Sequence, residues 1–206
     1  MAGSSDETDS ATFEATRSGS TNLSYRTSSG PLTESRIWLD GGARAGTWVD
    51  PQGASHAIAY HNMTTEPFWF FPVMIVQDAL SGENNVVASY VGAGTFNGAA
   101  VHHLRLVAVP PGAASAPGLI EALSQTELYL DPGTLLPVGL TYRDHPDGTL
   151  TVDIPVEVLF SAYLAMNGVE VPTQIEQLRS NSVTLDLQVQ SVAINAGVVL
   201  PASSTE

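Results

Sequence analysis

Cysteine and lysine are both absent from this 206-residue chain, and positive charge of any kind is scarce. Without cysteine there are no disulfides, no thiolate metal sites and no cysteine nucleophile. The seven basic residues are all arginine, and acidic residues outnumber them 21 to 7, for a formal charge of −14. Such a surface repels a phosphate backbone, so nucleic-acid binding is not expected. Adsorption to an anionic lipid surface is disfavoured for the same reason. No apolar run approaches the ~20 residues of a membrane-spanning helix. The opening MAGSSDETDS has neither a basic n-region nor an apolar h-region, so it does not read as a signal peptide. The chain is therefore expected either to remain inside the cell or to have lost a targeting segment.

What remains is enough for one sizeable core: a domain of this length buries roughly 70% of its unfolded surface and needs no staples. Residues 1–12 are Gly, Ser, Thr and acids and read as a flexible leader, residues 13–199 as a single β-rich domain, and residues 200–206 as a tail. From Thr12 to Tyr60 the text is β-like, broken by turn phrases such as Asp40-Gly41-Gly42 and Asp50-Pro51-Gln52-Gly53. Strands are again expected at Val86–Val91, Gly98–Val109, Gln125–Leu130, Val138–Arg143, Val152–Tyr163, Val169–Leu178 and Ser182–Ile194. Short turns at Asn97-Gly98, Asp131-Pro132-Gly133, Asn167-Gly168 and Ser180-Asn181 imply antiparallel pairing of consecutive strands. In the last strand Val183, Leu185, Leu187 and Val189 share a face, and a phase switch beyond Ser191 suggests a β-bulge.

The segment 66–80, EPFWFFPVMIVQDAL, departs from this pattern. It is long enough for about four helical turns, with Pro67 suited to a first turn and Pro72 expected to kink or restart the helix. It is apolar on every side, so most of it must be covered. A curved antiparallel sheet with one dry face needs a cover, and no other long apolar element is available. The expected architecture is mostly β, an unclosed barrel wrapped around one apolar helical segment.

The pair His102-His103 in NGAAVHHLRL invites a search for chemistry. In a strand the two imidazoles point to opposite faces, so they cannot chelate one ion. No His-Glu-x-x-His spacing, P-loop lysine or Gly-x-Ser-x-Gly elbow is present. One histidine is expected at the dry face with its nitrogen satisfied, the other at the wet face near acidic neighbours. No metal site, cofactor or catalytic residue is assigned. An enzyme would need His103 as general base in an accessible hollow beside a carboxylate.

Several phrases recur in a known order. They are Asn97-Gly98 followed by Val101–Leu106, Glu127-Leu128-Tyr129-Leu130-Asp131-Pro132, and Leu136–Tyr142. Val156–Tyr163, Asn167-Gly168-Val169-Glu170-Val171-Pro172 and Leu187–Asn195 then follow. In these the chain resembles exported bacterial proteins of the LolA-like type, the lipoprotein-localisation carriers and outer-membrane lipoprotein-sorting proteins, over residues 86–197. The resemblance implies an unclosed antiparallel barrel around a helix, with an apolar concavity for acyl chains, and a periplasmic or extracellular location. It would place Phe68, Trp69, Phe70, Phe71, Met74 and Ile75 in the mouth of the half-barrel, where they would meet a lipid, an acyl chain or a hydrophobic partner segment. The alternative is a structural or interaction subunit of a larger, membrane-associated assembly.

Overall fold

The computed structural model describes residues 10–16, 21–27, 30–38, 44–65, 67, 69–81, 86–108 and 117–197. Contacts divide the chain into two compact units: residues up to Met63 together with those from Asn195 on, and Thr64–Ile194. The sequence reading takes 13–199 as one domain, and its leader and tail lie mostly outside the described residues. Both sheets are antiparallel, open at their ends, and wound in strict sequence order.

The first unit holds strands β1 (Thr12–Ala15), β2 (Thr21–Thr27), β3 (Gly30–Trp38), β4 (Arg44–Val49) and β5 (Ser55–Ala57). Helix α1 (Tyr60–Thr65) begins within it. The Asp50 turn closes on itself: Asp50 Oδ1 accepts from the backbone N–H of Gln52 and Ala54, and Oδ2 lies 2.9 Å from His56 Nε2. His56 in turn stacks on Trp48 at 4.2 Å. Gly46 has a packing reason to be glycine. A Cβ there would meet Met63 Sδ and would lie 2.8 Å from Ile58 Cδ1.

The second unit contains α2 (Pro72–Ser81), β6 (Val86–Phe96), β7 (Ala99–Ala108), α3 (Pro117–Ser124) and β8 (Thr126–Leu130). It continues with β9 (Pro137–Asp144), β10 (Ile154–Met166), β11 (Val169–Arg179) and β12 (Ser182–Gln188). Its seven strands run β6 to β12 in order. The turns expected between strands of this unit are where the sequence places them, whereas Asp40-Gly41-Gly42 lies outside the described residues. Asn97 and Gly98, and again Asn167 and Gly168, take the two consecutive positive φ angles that a tight hairpin turn requires.

Three details differ from the sequence reading. The helix starts at Pro72 and not at Pro67, because a ring with fixed φ and no N–H suits a first helical position and not an interior one. The last strand stops at Gln188, so the change of phase beyond Ser191 is the end of a strand and not a bulge. The register shift lies instead between Gln177 and Leu178. There Thr184 is the extra residue, and its hydroxyl hydrogen-bonds to both the backbone and the side-chain oxygen of Gln177. That shift leaves Val183 56% exposed, although Leu185 and Leu187 pack on the core as their alternation predicts.

The core follows from register. Leu104, Leu128, Leu140, Val158, Gln177 and Leu185 stand opposite one another in turn across six strands. Leu140 and Val158, at the centre of that row, are fully buried. Each such side chain contributes roughly 1.5–3 kcal/mol by leaving water. One residue along, the opposite face carries Arg105, Glu127, Thr141, Glu157 and Leu178 in the same cross-strand order. The sheet therefore has a dry and a polar face, as period-2 alternation dictates.

Candidate functional site

The dry face is covered from α2 and the turn that precedes it. Trp69 and Ile75 are buried in the same cluster as Leu106, Leu128, Leu140 and Phe160. Phe70 is partly buried against this cluster, its ring 3.8 Å from that of Trp69. Phe71 and Met74 are half-buried, and Phe68 lies outside the described residues. Sequence reasoning did not single out Val76 and Ala79, which also pack on the cluster. With Pro72 and Ile75 they occupy positions i, i+3, i+4 and i+7, which is the inward stripe of a helix. Nor is the helix covered all round: Val73 is 45% and Leu80 84% exposed. The reading of 66–80 as apolar on every side overlooked that a ten-residue helix offers only one stripe to one sheet.

At one end of the β10–β11 pair a polar cluster borders this core. Asp144, nearly buried, pairs with Arg179 and accepts a hydrogen bond from the backbone N–H of His145. Asp153 receives His145 Nε2 at 3.2 Å and Arg143 Nε at 3.3 Å. Elsewhere Tyr163 packs against the core and donates its hydroxyl to the Pro137 carbonyl at 2.7 Å, and burial raises its pKa above the ordinary phenol value.

The two histidines fall on opposite faces. His102 stands opposite Leu130 and shares a 3.0 Å hydrogen bond with the Tyr90 hydroxyl. His103 stands opposite Tyr129 and reaches Glu127 Oε2 at 2.6 Å. Glu127 also accepts from Arg105 Nε at 2.8 Å and Gln125 Nε2 at 2.6 Å. Burial pushes the Glu127 carboxyl up, but the donors Arg105, His103 and Gln125 together outweigh it and hold the group below the usual carboxylate range.

This shift has a sign that can be checked. A depressed folded-state pKa gives stability that is fully present above the ordinary carboxyl value of ~4.3 and is lost as pH falls through the lower folded value. Replacing Glu127 by Gln is thus expected to cost stability near neutrality, and the difference from wild type should shrink below about pH 4. Urea midpoints measured across that range test it, and a pH-independent difference would contradict the assignment.

Beside Glu127 the polar face carries a groove of ≈ 220 Å³, lined among others by Gln125, Thr141, Arg143, Glu157 and Asn181. His103 is not in its lining; the ring lies on Tyr129 at 4.9 Å and 27°. Proximity to a carboxylate, one half of what a general base needs, is therefore present, and His103 does not line this groove. Among the described residues no three His, Asp or Glu side chains are grouped to hold a metal ion. No described helix is long and apolar enough to cross a membrane.

No protein-family model and no curated protein sequence matches this chain. Solved structures do. A putative outer membrane lipoprotein-sorting protein domain from Vibrio parahaemolyticus superposes with a TM-score of 0.54 at 10% identity, covering 93% of this chain and 78% of that one. A DUF1329 family protein from Desulfovibrio piger gives 0.45 at 11% identity over 84% and 72% of the two chains. A LolA superfamily protein from Nitrosomonas europaea gives 0.37 at 6% identity over 84% and 79%. The LolA-like resemblance carried by residues 86–197 thus holds as a likeness of fold, mostly β with open antiparallel sheets.

Proposed function

We propose that this chain is a non-enzymatic binding protein that works outside the cytoplasm, in the periplasm or beyond the cell. Its dry sheet face and helical cover shield an apolar ligand: a lipid, an acyl chain or a hydrophobic segment of a partner. The observation that carries this reading is the pairing of a continuous apolar row, Leu104 to Val158, with a cover only ten residues long. A short helix seated through Ile75, Val76 and Ala79, led by the Trp69–Phe70 turn, has few anchors to release. Its aromatic and methionine side chains suit a ligand of variable shape. The Vibrio domain with which the fold is shared is described as lipoprotein-sorting, in keeping with an acyl cargo. Native mass spectrometry after gentle purification is expected to show lipid adducts, and delipidated protein should take up a fluorescent fatty acid. A clean apo mass together with no uptake would refute the proposal.

One observation favours the second reading, an interaction subunit of a larger membrane-associated assembly. The edge strand β6 carries no charge and no proline over 11 residues, and Val87, Tyr90 and Val91 on it are 59%, 62% and 50% exposed. Long neutral edges are open to strand addition unless something protects them. Under this reading Ser89→Lys abolishes partner capture and leaves fatty-acid uptake unchanged.

A further inference from the structure

On the polar face of the seven-stranded sheet, the end of the β6–β7 hairpin lies across strands that are not its neighbours. Phe96 stacks on Tyr129 of β8 at 4.1 Å and 12°, nearly parallel. The same ring covers Gly139 of β9, where a Cβ would stand 2.8 Å from Phe96 Cζ and 3.0 Å from the Val158 carbonyl oxygen. Gly139 is opposite Tyr129 on one side and Leu159 on the other, so the missing side chain opens a seat about one ring wide between them. The next residue, Asn97, donates Nδ2 to Glu157 Oε1 at 2.7 Å. Between Thr95 and Ala100, Phe96 alone is half-buried, and all its neighbours are exposed. Beyond the buried Val101, the hairpin end meets the sheet through this ring and this N–H, and β7 does not pair with β8 until His102. Behind it the strand carries a register shift between Tyr90 and Gly92, with Gly92 at φ 145°.

Phe96-Asn97 behaves as a ligand built into the chain, and it shows what the surface accepts: a flat ring over Gly139 and against Tyr129, with an N–H donor to the Glu157 carboxylate. The groove of ≈ 220 Å³ counts Glu157 in its lining. Glu127, the other acid in its lining, already accepts from three side chains, and Arg143 is paired with Asp153. Glu157 is left as the acid that can take an incoming cation. We propose that this seat is a binding site for a small flat aromatic ring carrying a cationic N–H donor, an aromatic amine or amidine. In the free protein Phe96 and Asn97 fill the seat, and they swing out when such a ligand enters. This site is on the face opposite the apolar row, so it stands or falls separately from the lipid-binding reading.

The probe is benzamidinium, followed by the amide resonances of Gly139 and Tyr129 in the full chain. Phe96→Ala is expected to bind it at least about tenfold more tightly than wild type, because the internal competitor is gone. Adding Glu157→Gln to Phe96→Ala should cost about tenfold, and adding Gly139→Val should abolish the response by filling the seat. Phenol should shift the same resonances more weakly, and guanidinium alone should leave Gly139 unmoved. Phe96→Leu, which keeps an apolar anchor, is the second variant if Phe96→Ala misfolds. If a folded Phe96 variant shows no shift at Gly139, or the shift survives Gly139→Val, the site is refuted. Equal affinity in wild type and the Phe96 variants refutes the internal competition.

Discussion

Leu140→Ala is expected to lower the free energy of unfolding of the second unit by about 3–5 kcal/mol, among the largest single losses this protein can show. Leu140 is fully buried at the middle of β9, with Leu128 on one side and Val158 on the other. Strands fixed by hydrogen bonds on both edges cannot collapse inward, so most of the vacated volume stays empty and the cavity penalty adds to the lost transfer energy. For a chain of this length the loss corresponds to a fall in melting temperature of roughly 10 °C. Urea denaturation of the variant checks it, with Val183→Ala as the control. Val183 is 56% exposed, and its truncation should change stability by less than about 0.5 kcal/mol. Comparable effects at the two positions would mean that the register of β12 is wrong.

Trp69→Ala is the second large effect, about 3–5 kcal/mol, and it also bears on function. Trp69 is 4% exposed and joins the cover to the sheet core. If the cover moves to admit a ligand, its truncation should weaken the closed state and raise fatty-acid uptake above that of wild type. If the cover is a fixed lid, the variant loses stability and gains no uptake. Trp69 also reports directly: of the three tryptophans, the other two, Trp38 and Trp48, belong to the first unit. A brominated acyl chain seated on the dry face should quench its emission, and a variant keeping only Trp69 would show this without background.

The second unit was legible because its signals are local. Alternation of apolar and polar residues placed the strands from Val86 to Gln188, and Asn-Gly pairs at 97–98 and 167–168 supplied the only turn chemistry that fits. The same parity separated His102 from His103. The first helix, α1, lacks a periodic apolar stripe, and only its first residue, Tyr60, falls within the stretch read as β-like. At 66–80 the sequence showed two prolines and left open whether Pro72 kinks a helix begun at Pro67 or restarts it; the helix begins at Pro72. The seat on the polar face was not legible at all. Phe96, Tyr129, Gly139 and Glu157 lie on four different strands, and each is unremarkable in its own stretch. Gly139 has an ordinary φ, so its significance comes only from the ring that another hairpin lays over it.

The strict order β6 to β12 sets how the sheet can be assembled. No strand has to wait for a distant segment, and most links are short turns, so closing each pair costs little chain entropy and pairs can zip up one after another from any nucleus. The β10–β11 hairpin, closed by the two-residue Asn167-Gly168 turn and carrying the buried Val158, Phe160 and Ile175, is the natural seed. Growth then proceeds outwards towards β6 and β12, and unravelling under load should begin at those two borders and reach the seed last.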